Sequence, residues 1–369
     1  MNNEVLQTQQ HALLLKVAVA ARVSSPTCPG YKNGFKVYNH PTVHPLELLV
    51  SENMENEAMN QIKHILDRVR SLEDLSADDI AELRCVSQQS LIINKFEISP
   101  TQYWNWVGKV GDYGVEFDAQ DKCIVLKEYP GWMHEATTHS LSRLFMDLED
   151  RLSAATGLYY DSTGSTSYEL VGRFIGSVKQ ADASLKKSRD EWPVVVLEVG
   201  ISETTHKLYA DAERWLEGSN GHTKLVILVD VCETEKRNTA SDKWELSAND
   251  FREMNHRRLF QHIFEWYHSR RINLFGTFTL SVHLLYSDGD RQCVLDKAGF
   301  SPDSPIDLEM IEGVPLRLKH LAADGSSLSE HQPSLFPLKR LVEKLQRGFE
   351  EIQIERAKLL ARDKKKSYC

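Results

Sequence analysis

Glu198 stands inside an apolar run. The stretch WPVVVLEVG, residues 192–200, sets the five residues Pro193–Leu197 directly before it. So short and valine-rich a run reads as a buried strand rather than a helix. An unpaired carboxylate buried there costs several kcal/mol, on the order of that much per ion, so a basic partner, a proton or a metal ion must compensate it. A second carboxylate, Asp182 in KQADASLKK, falls on a strand expected to pair with the Glu198 strand. Two carboxylates on neighbouring strands can share a divalent cation. Mg²⁺ accepts one or two carboxylates and completes its shell with waters and substrate phosphates. Such an ion activates water and stabilises charge on a scissile phosphate. The alternative is structural: Glu198 pairs with a lysine or caps the helix that begins near Ser202.

Other patterns that could do chemistry carry less. HEATTH, residues 134–139, spaces its histidines at i and i+5. That puts them about 140° apart around a helix, whereas a zinc protease needs i and i+4 on one face. No GxGxxG, GxxxxGK[ST] or GxSxG occurs, so neither a phosphate-cradling loop nor a nucleophile elbow is indicated. The six cysteines are scattered without a CxxC pair, which suggests neither a zinc knuckle nor a disulfide framework and suits a reducing, intracellular setting. His40 and His44 lie in the proline-punctuated YNHPTVHPLE and read as exposed loop residues.

The elements that position the carboxylates follow from periodicity. Residues 52–72 place Ala58, Ile62, Ile65, Leu66 and Val69 on one helical face, and Ser76 caps a second helix. Trp104 and Trp106 alternate with polar residues as on a half-buried strand. Val115–Phe117 and Cys123–Leu126 read as strands around DAQD. A helix is expected over about 138–155, stopped by Gly157. Residues 167–175 and 176–185 read as a strand pair, followed by the Glu198 strand. A helix with Leu208, Ala212, Trp215 and Leu216 on its apolar side comes next, then the buried strand TKLVILVDV. Trp215 is expected to pack against the sheet. Residues 250–270 read as a helix and 275–286 as the first half of a hairpin. Residues 319–337 suit a linker, and 338–360 a helix with one apolar stripe of Leu341, Leu345, Phe349 and Ile352. That stripe fits either a homodimer or folding back on the core.

Composition bounds the class. Of 369 residues, 41% are hydrophobic and 26% charged, enough for a sizeable core. The net charge of −9 argues against a wholly basic surface for non-specific nucleic-acid binding, but not against a local basic groove. Basic clusters occur at 186–187, 256–258 and 269–271. No apolar run is long enough to span a membrane, and the apolar stretch 11–21 lacks the basic flank of a signal peptide.

The order of these features resembles a known family. K-x-x-D-A-S, then W-P-V-V-V-L-E-V-G-x-S-E, then K-L-x-x-D-A-x-x-W-L-x-x-S-x-G-x-x-K-L-V-I-L-V is similar to fungal members of the PD-(D/E)XK nuclease superfamily. It is also similar to Uma2-type proteins, in which a helix begun by a histidine, matched here by His134, leads into the core. The resemblance covers roughly residues 100–235. It implies a restriction-endonuclease-like α/β core, αβββαβ, with a mixed sheet flanked by helices. It implies a nuclease site in which Asp182 matches the motif aspartate, with Ala181 in place of the usual proline, and Glu198 matches the second acidic residue. The motif lysine is absent, since Gly200 holds its position. Lys207, in the first turn of the following helix, is then the expected catalytic lysine, with Lys179 and Lys186 as further candidates. Lys224 should lie at the far end of its strand. Glu149 and Glu203 are further acidic candidates. The backbone carbonyl of Val199 is implied as a third ligand to Mg²⁺ or Mn²⁺.

The expectation is an α/β protein of three parts: a mainly helical region over 1–95, the nuclease-like core over 96–300, and a linker with a C-terminal helix over 301–369. Its function is expected to be metal-dependent hydrolysis of DNA or RNA. An inactive nuclease fold that binds nucleic acid or protein is the alternative.

Overall fold

The computed structural model describes residues 58–87, 90–201, 205–234, 239, 242, 244–322 and 334–368. The expectations for 11–21, His40, His44, a Ser202 cap and Glu203 lie outside these residues.

The fold is mixed α/β. Helix α1 spans 58–68 and α2 Ala77–Ser87. Strand β1 (Leu91–Ile93) precedes α3 (Pro100–Val110), which leads into the β2 (Val115–Asp118) and β3 (Cys123–Leu126) hairpin. The long helix α4 (Trp132–Thr156) follows. Next come β4 (Tyr160–Thr163), β5 (Thr166–Glu169), β6 (Val178–Ala181), β7 (Ala183–Lys187) and β8 (Pro193–Ile201). Helix α5 (Thr205–Gly218) connects β8 to β9 (Leu225–Glu233). Helices α6 (Ala248–Glu253) and α7 (His256–Ser269), strands β10 (Phe278–Tyr286) and β11 (Arg291–Phe300), and finally α8 (Leu338–Gln346) and α9 (Phe349–Tyr368) complete the main elements.

Two sheets meet at Asp182. One has the order β1-β3-β2-β6-β5, the other β11-β10-β9-β8-β7-β4. The segments 160–169 and 178–187 form a single hairpin whose register continues from Thr163↔Ser184 to Thr166↔Ala181. It bends at Asp182, so β5–β6 join the first sheet and β4–β7 the second. The pair expected over 167–175 and 176–185 is therefore displaced: residues 170–177 form the connection, with a 3-10 turn at Gly172–Phe174, and the hairpin extends back to Tyr160. Pairing is antiparallel throughout, except that β8 and β9 run parallel across the α5 crossover. That is the connection a helix between two buried strands makes.

Each face of the sheets has its own cover. Helices α1–α3 close one apolar core over Phe117, Ile124 and Val178. Because β1 pairs with β3, hydrogen bonds and this core both run across residue 95. Helix α4 covers the second sheet through Leu141, Leu144, Phe145 and Leu148, packed with Val195, Leu197 and Val199. Helix α5 covers its other face through Leu208, Ala212 and Trp215.

Three expectations are corrected. Trp104 and Trp106 are helical, not on a strand. Ser99 and Gln102 make a capping box, and Pro100 stands at the first position of α3, both helix-starting signals. Residues two apart sit about 200° apart on a helix, so Trp106 is buried and Trp104 is 43% exposed, which in sequence mimics strand alternation. Helix α4 starts at Trp132 rather than near 138, so His134 lies in its first turn. The C-terminal helix is two helices. A Cβ at Gly348 would lie 1.8 Å from the Trp132 ring, and only glycine permits that approach. The stripe of Leu341, Leu345 and Ile352 is buried in the chain's own core. Among the described residues no helix is long and apolar enough to cross a membrane.

Candidate active site

The bend that joins the sheets exposes one place for polar chemistry. At Asp182 the main chain still reaches the second sheet, its amide donating to the carbonyl of Leu197 at 3.1 Å. The side chain turns to β8, where Oδ2 accepts from the Val199 amide at 2.7 Å. Glu198 Oε1 accepts from the indole N–H of Trp215 on α5 at 2.5 Å. Each carboxylate therefore has one oxygen held by a protein N–H. The other two, Asp182 Oδ1 and Glu198 Oε2, both face one ammonium, that of Lys127, at 3.0 and 3.3 Å.

Lys127 follows the last residue of β3. Its amide donates to Gly114 O at 2.8 Å, continuing the β2–β3 hairpin. Its Nζ also donates to Gln180 O at 2.9 Å, and it lies 3.8 Å from Glu116 Oε1. Arg84 grips the backbone behind it, donating from Nε to Lys127 O at 2.7 Å. The lysine thus comes from the first sheet and the carboxylates from the junction and the second sheet. Only the fold brings them together.

His134 completes the cluster, with Nε2 3.3 Å from Asp182 Oδ1. The side chains of Lys127 and His134 are 18% and 15% exposed, against 6% for Asp182 and 3% for Glu198. Lys127 and His134 are thus the more exposed members of the cluster, and the two carboxylates lie beneath them.

A second set of charges lies beneath the first, between β2, β6 and α5. Lys179 Nζ, 2% exposed, sits 3.0 Å from both Glu116 Oε2 and Asp211 Oδ1. Lys207 lies 3.4 Å from the other oxygen of Asp211. Arg214 pairs with Asp118. Buried charges survive only when paired and hydrogen-bonded, and here they alternate in sign along one layer.

Protonation follows from these contacts. Burial works to raise the Asp182 carboxyl, but Lys127, His134 and the Val199 amide outweigh it and hold the group well below the usual carboxylate range. Burial dominates at Glu198, helped by the neighbouring carboxylates of Asp182 and Glu116, and pushes it up to about 7 against the pull of Lys127 and Lys179. Burial also opposes charge on Lys127 and His134. The carboxylates prevail, raising Lys127 well above its ordinary value and His134 above 6.5.

The other expected residues are placed as follows. Lys207 serves Asp211, and Lys127 occupies the position by the carboxylate pair that was assigned to Lys207. Lys179 is buried one layer below. Lys186 pairs across the sheet with Asp161 and Pro193 positions, away from the bend. Glu149 Oε2 accepts from the Ser162 amide at 2.9 Å. The contact Val199 makes with Asp182 runs through its amide. Lys224 directly precedes β9, where Val195↔Leu225 marks the entry of the parallel pair. Trp215 is fully buried. The clusters at 256–258 and 269–271 lie at opposite ends of α7, which packs on α9. Among the described residues, no group of three or more His, Cys, Asp and Glu side chains is arranged to hold a metal ion. A cleft of about 530 Å³ lies between Trp132 and Arg347 and shares no lining residue with the cluster.

Lys127, Glu116 and Asp211 escape a reading by motif spacing. The available signals were a lysine directly after the apolar CIVL and the charged residues in VEFD, whose strand is buried along its whole length. Gly200 has a local cause. A Cβ there would meet Leu208 Cδ1 at 2.6 Å, so α5 lies where the side chain of a motif lysine would start.

A scan against protein-family models gave no match, and neither did searches of curated proteins and of solved structures.

Proposed function

We propose that the protein is a metal-dependent phosphodiesterase acting on nucleic acid, with a restriction-endonuclease-like core. One observation carries the reading: two buried carboxylates turn one oxygen each toward the same ammonium, at the junction of two sheets. The order α4, bent hairpin, β8, α5, β9, with β8 and β9 parallel, supports it too, since it follows the order that the resemblance implies.

The donor set suits a hard cation. Asp182 Oδ1 and Glu198 Oε2, which the Lys127 ammonium contacts in this structure, would hold Mg²⁺ or Mn²⁺ if that ammonium moved off them; such an ion needs only one or two carboxylates when waters and phosphates fill its shell. Bound there, the ion would supply an activated water and neutralise charge on the scissile phosphate. Lys127 then takes the part of the displaced motif lysine: its ammonium stabilises charge that develops on the phosphate. His134 holds the orientation of Asp182. Trp215 and the Val199 amide fix the outer oxygens so that the inner pair converges.

The test is cleavage of labelled single- and double-stranded DNA and RNA by purified protein with Mg²⁺ or Mn²⁺. Lys127→Met and Glu198→Gln are run beside the wild type. Cleavage by the wild type and its loss in both variants is the expected result. A folded wild type that cleaves nothing points instead to a nuclease fold used only for binding, which the existing neutralisation of both carboxylates by Lys127 favours.

A further inference from the structure

Two exposed aromatic rings that no core element uses are tied, through Arg84, to the backbone that carries Lys127. Tyr129 and Tyr113 are 46% and 54% exposed. Tyr129 lies in the segment between Lys127 and His134, the two members of the cluster that touch solvent. Tyr113 directly precedes Gly114, whose carbonyl accepts from the Lys127 amide across the β2–β3 hairpin. The Gly114 amide in turn donates to Gln180 Oε1 at 2.8 Å, and the carbonyl of Gln180 receives Lys127 Nζ.

Arg84 ties the rings together. Its guanidinium carbon lies 4.2 Å from the centroid of Tyr129 and 5.3 Å from that of Tyr113. The guanidinium donates to the carbonyls of Lys127, Tyr113 and Glu128 at 2.7, 3.3 and 3.2 Å. A Cβ at residue 114 would lie 2.4 Å from Arg84 Nη2, so Gly114 leaves the space this cation fills. The rings are thus backed by a pinned cation on one side and half open to water on the other. Preformed aromatic surfaces beside cations are what stacked bases of single strands use.

We infer that Tyr113 and Tyr129 are a stacking platform for unpaired bases of the strand whose phosphate reaches Lys127, Asp182 and Glu198. The inference rests on the proposed nuclease reading and narrows its substrate to single-stranded nucleic acid or frayed strand ends. Bases inside a duplex have no free faces to offer the rings.

The experiment is fluorescence anisotropy with labelled oligo-deoxythymidine and oligo-uridine strands, and with a blunt duplex, in Ca²⁺ in place of Mg²⁺. The proteins are the wild type, Tyr113→Leu, Tyr129→Leu, Tyr129→Phe and, as a control, Tyr159→Leu, at the exposed residue directly before β4. Loss of one stacked base should weaken single-strand binding by about tenfold or more. Tyr129→Phe keeps the ring and should bind like the wild type, as should Tyr159→Leu. Duplex should bind more weakly than single strands and respond little to the tyrosine variants. Unchanged single-strand binding in folded Tyr113→Leu and Tyr129→Leu overturns the platform and leaves the nuclease reading standing. If the wild type binds no strand of any kind, the nuclease reading fails and the platform with it.

Discussion

Lys127 is the residue on which the cluster balances. It faces Asp182 and Glu198 at 3.0 and 3.3 Å. Replacing it with Met leaves those carboxylates without their nearest cation, and breaking a buried pair this way costs about 3–5 kcal/mol. Chemical denaturation of Lys127→Met should show that loss, and Mg²⁺ or Mn²⁺ should restore part of it by binding the native state alone. A loss with no response to either ion would reduce Lys127 to a structural partner. The pH dependence has a definite sign. Glu198, raised from 4.5 to about 7, binds a proton in the folded chain that the unfolded chain has lost, so its contribution to stability declines as pH rises from 4.5 to 7. His134, raised above 6.5, contributes below that value and loses its contribution as pH rises through the folded one. Asp182, held below 3.8, acts the other way, and its contribution is lost only as pH falls below that value. Melting temperature should therefore fall as pH climbs through neutrality. Glu198→Gln should flatten the part of the slope between 4.5 and 7 while leaving the histidine's share.

At the scale of elements, the packing of α5 on β8 explains why glycine stands at position 200. Gly200 and Glu198 share a face of the strand, and that face meets Leu208 and Trp215. Gly200→Lys should not supply a substitute for Lys127. With Leu208 Cδ1 only 2.6 Å from the new Cβ, it should destabilise the fold by about 1–3 kcal/mol, the cost of overpacking. Under the proposed nuclease reading, Lys127→Met combined with Gly200→Lys should cleave no more than Lys127→Met alone; more cleavage by the double variant would show that the strand can carry its own lysine. The carboxylates were legible because a charge inside PVVVLEVG demands compensation. The lysine was not, because its strand lies in the other sheet and no spacing along the chain reports that junction.

At the scale of the whole molecule, the C-terminal helices belong to the core that supports the site. Leu341 and Leu345 are fully buried against α4 and the second sheet. Arg356 of α9 pairs with buried Glu233 at the end of β9, at 2.8 Å. Leu341→Ala should cost about 2–5 kcal/mol, as truncation in a packed core does. Urea denaturation at several protein concentrations checks this. A midpoint that moves with concentration would instead indicate a stripe shared between two copies. The N-terminal helices are integrated in the same way, with Trp106 Nε1 donating to Leu75 O at 2.8 Å across the 95 boundary.

Local signals in the sequence determined the mixed α/β class, the buried β8 and β9 with a helix between them, and the pair Asp182 and Glu198. Each of these rests on short-range periodicity or on the cost of burying a charge, which neighbouring residues already display. Tertiary structure decided which cation meets the pair, that the hairpin bends at Asp182 to join two sheets, and that the C-terminal stripe faces its own chain. These depend on contacts between segments tens of residues apart: Lys127 lies 55 residues from Asp182 and 71 from Glu198. At such separations the chain's periodicity carries no information, and mutual burial of opposite charges selects the partner.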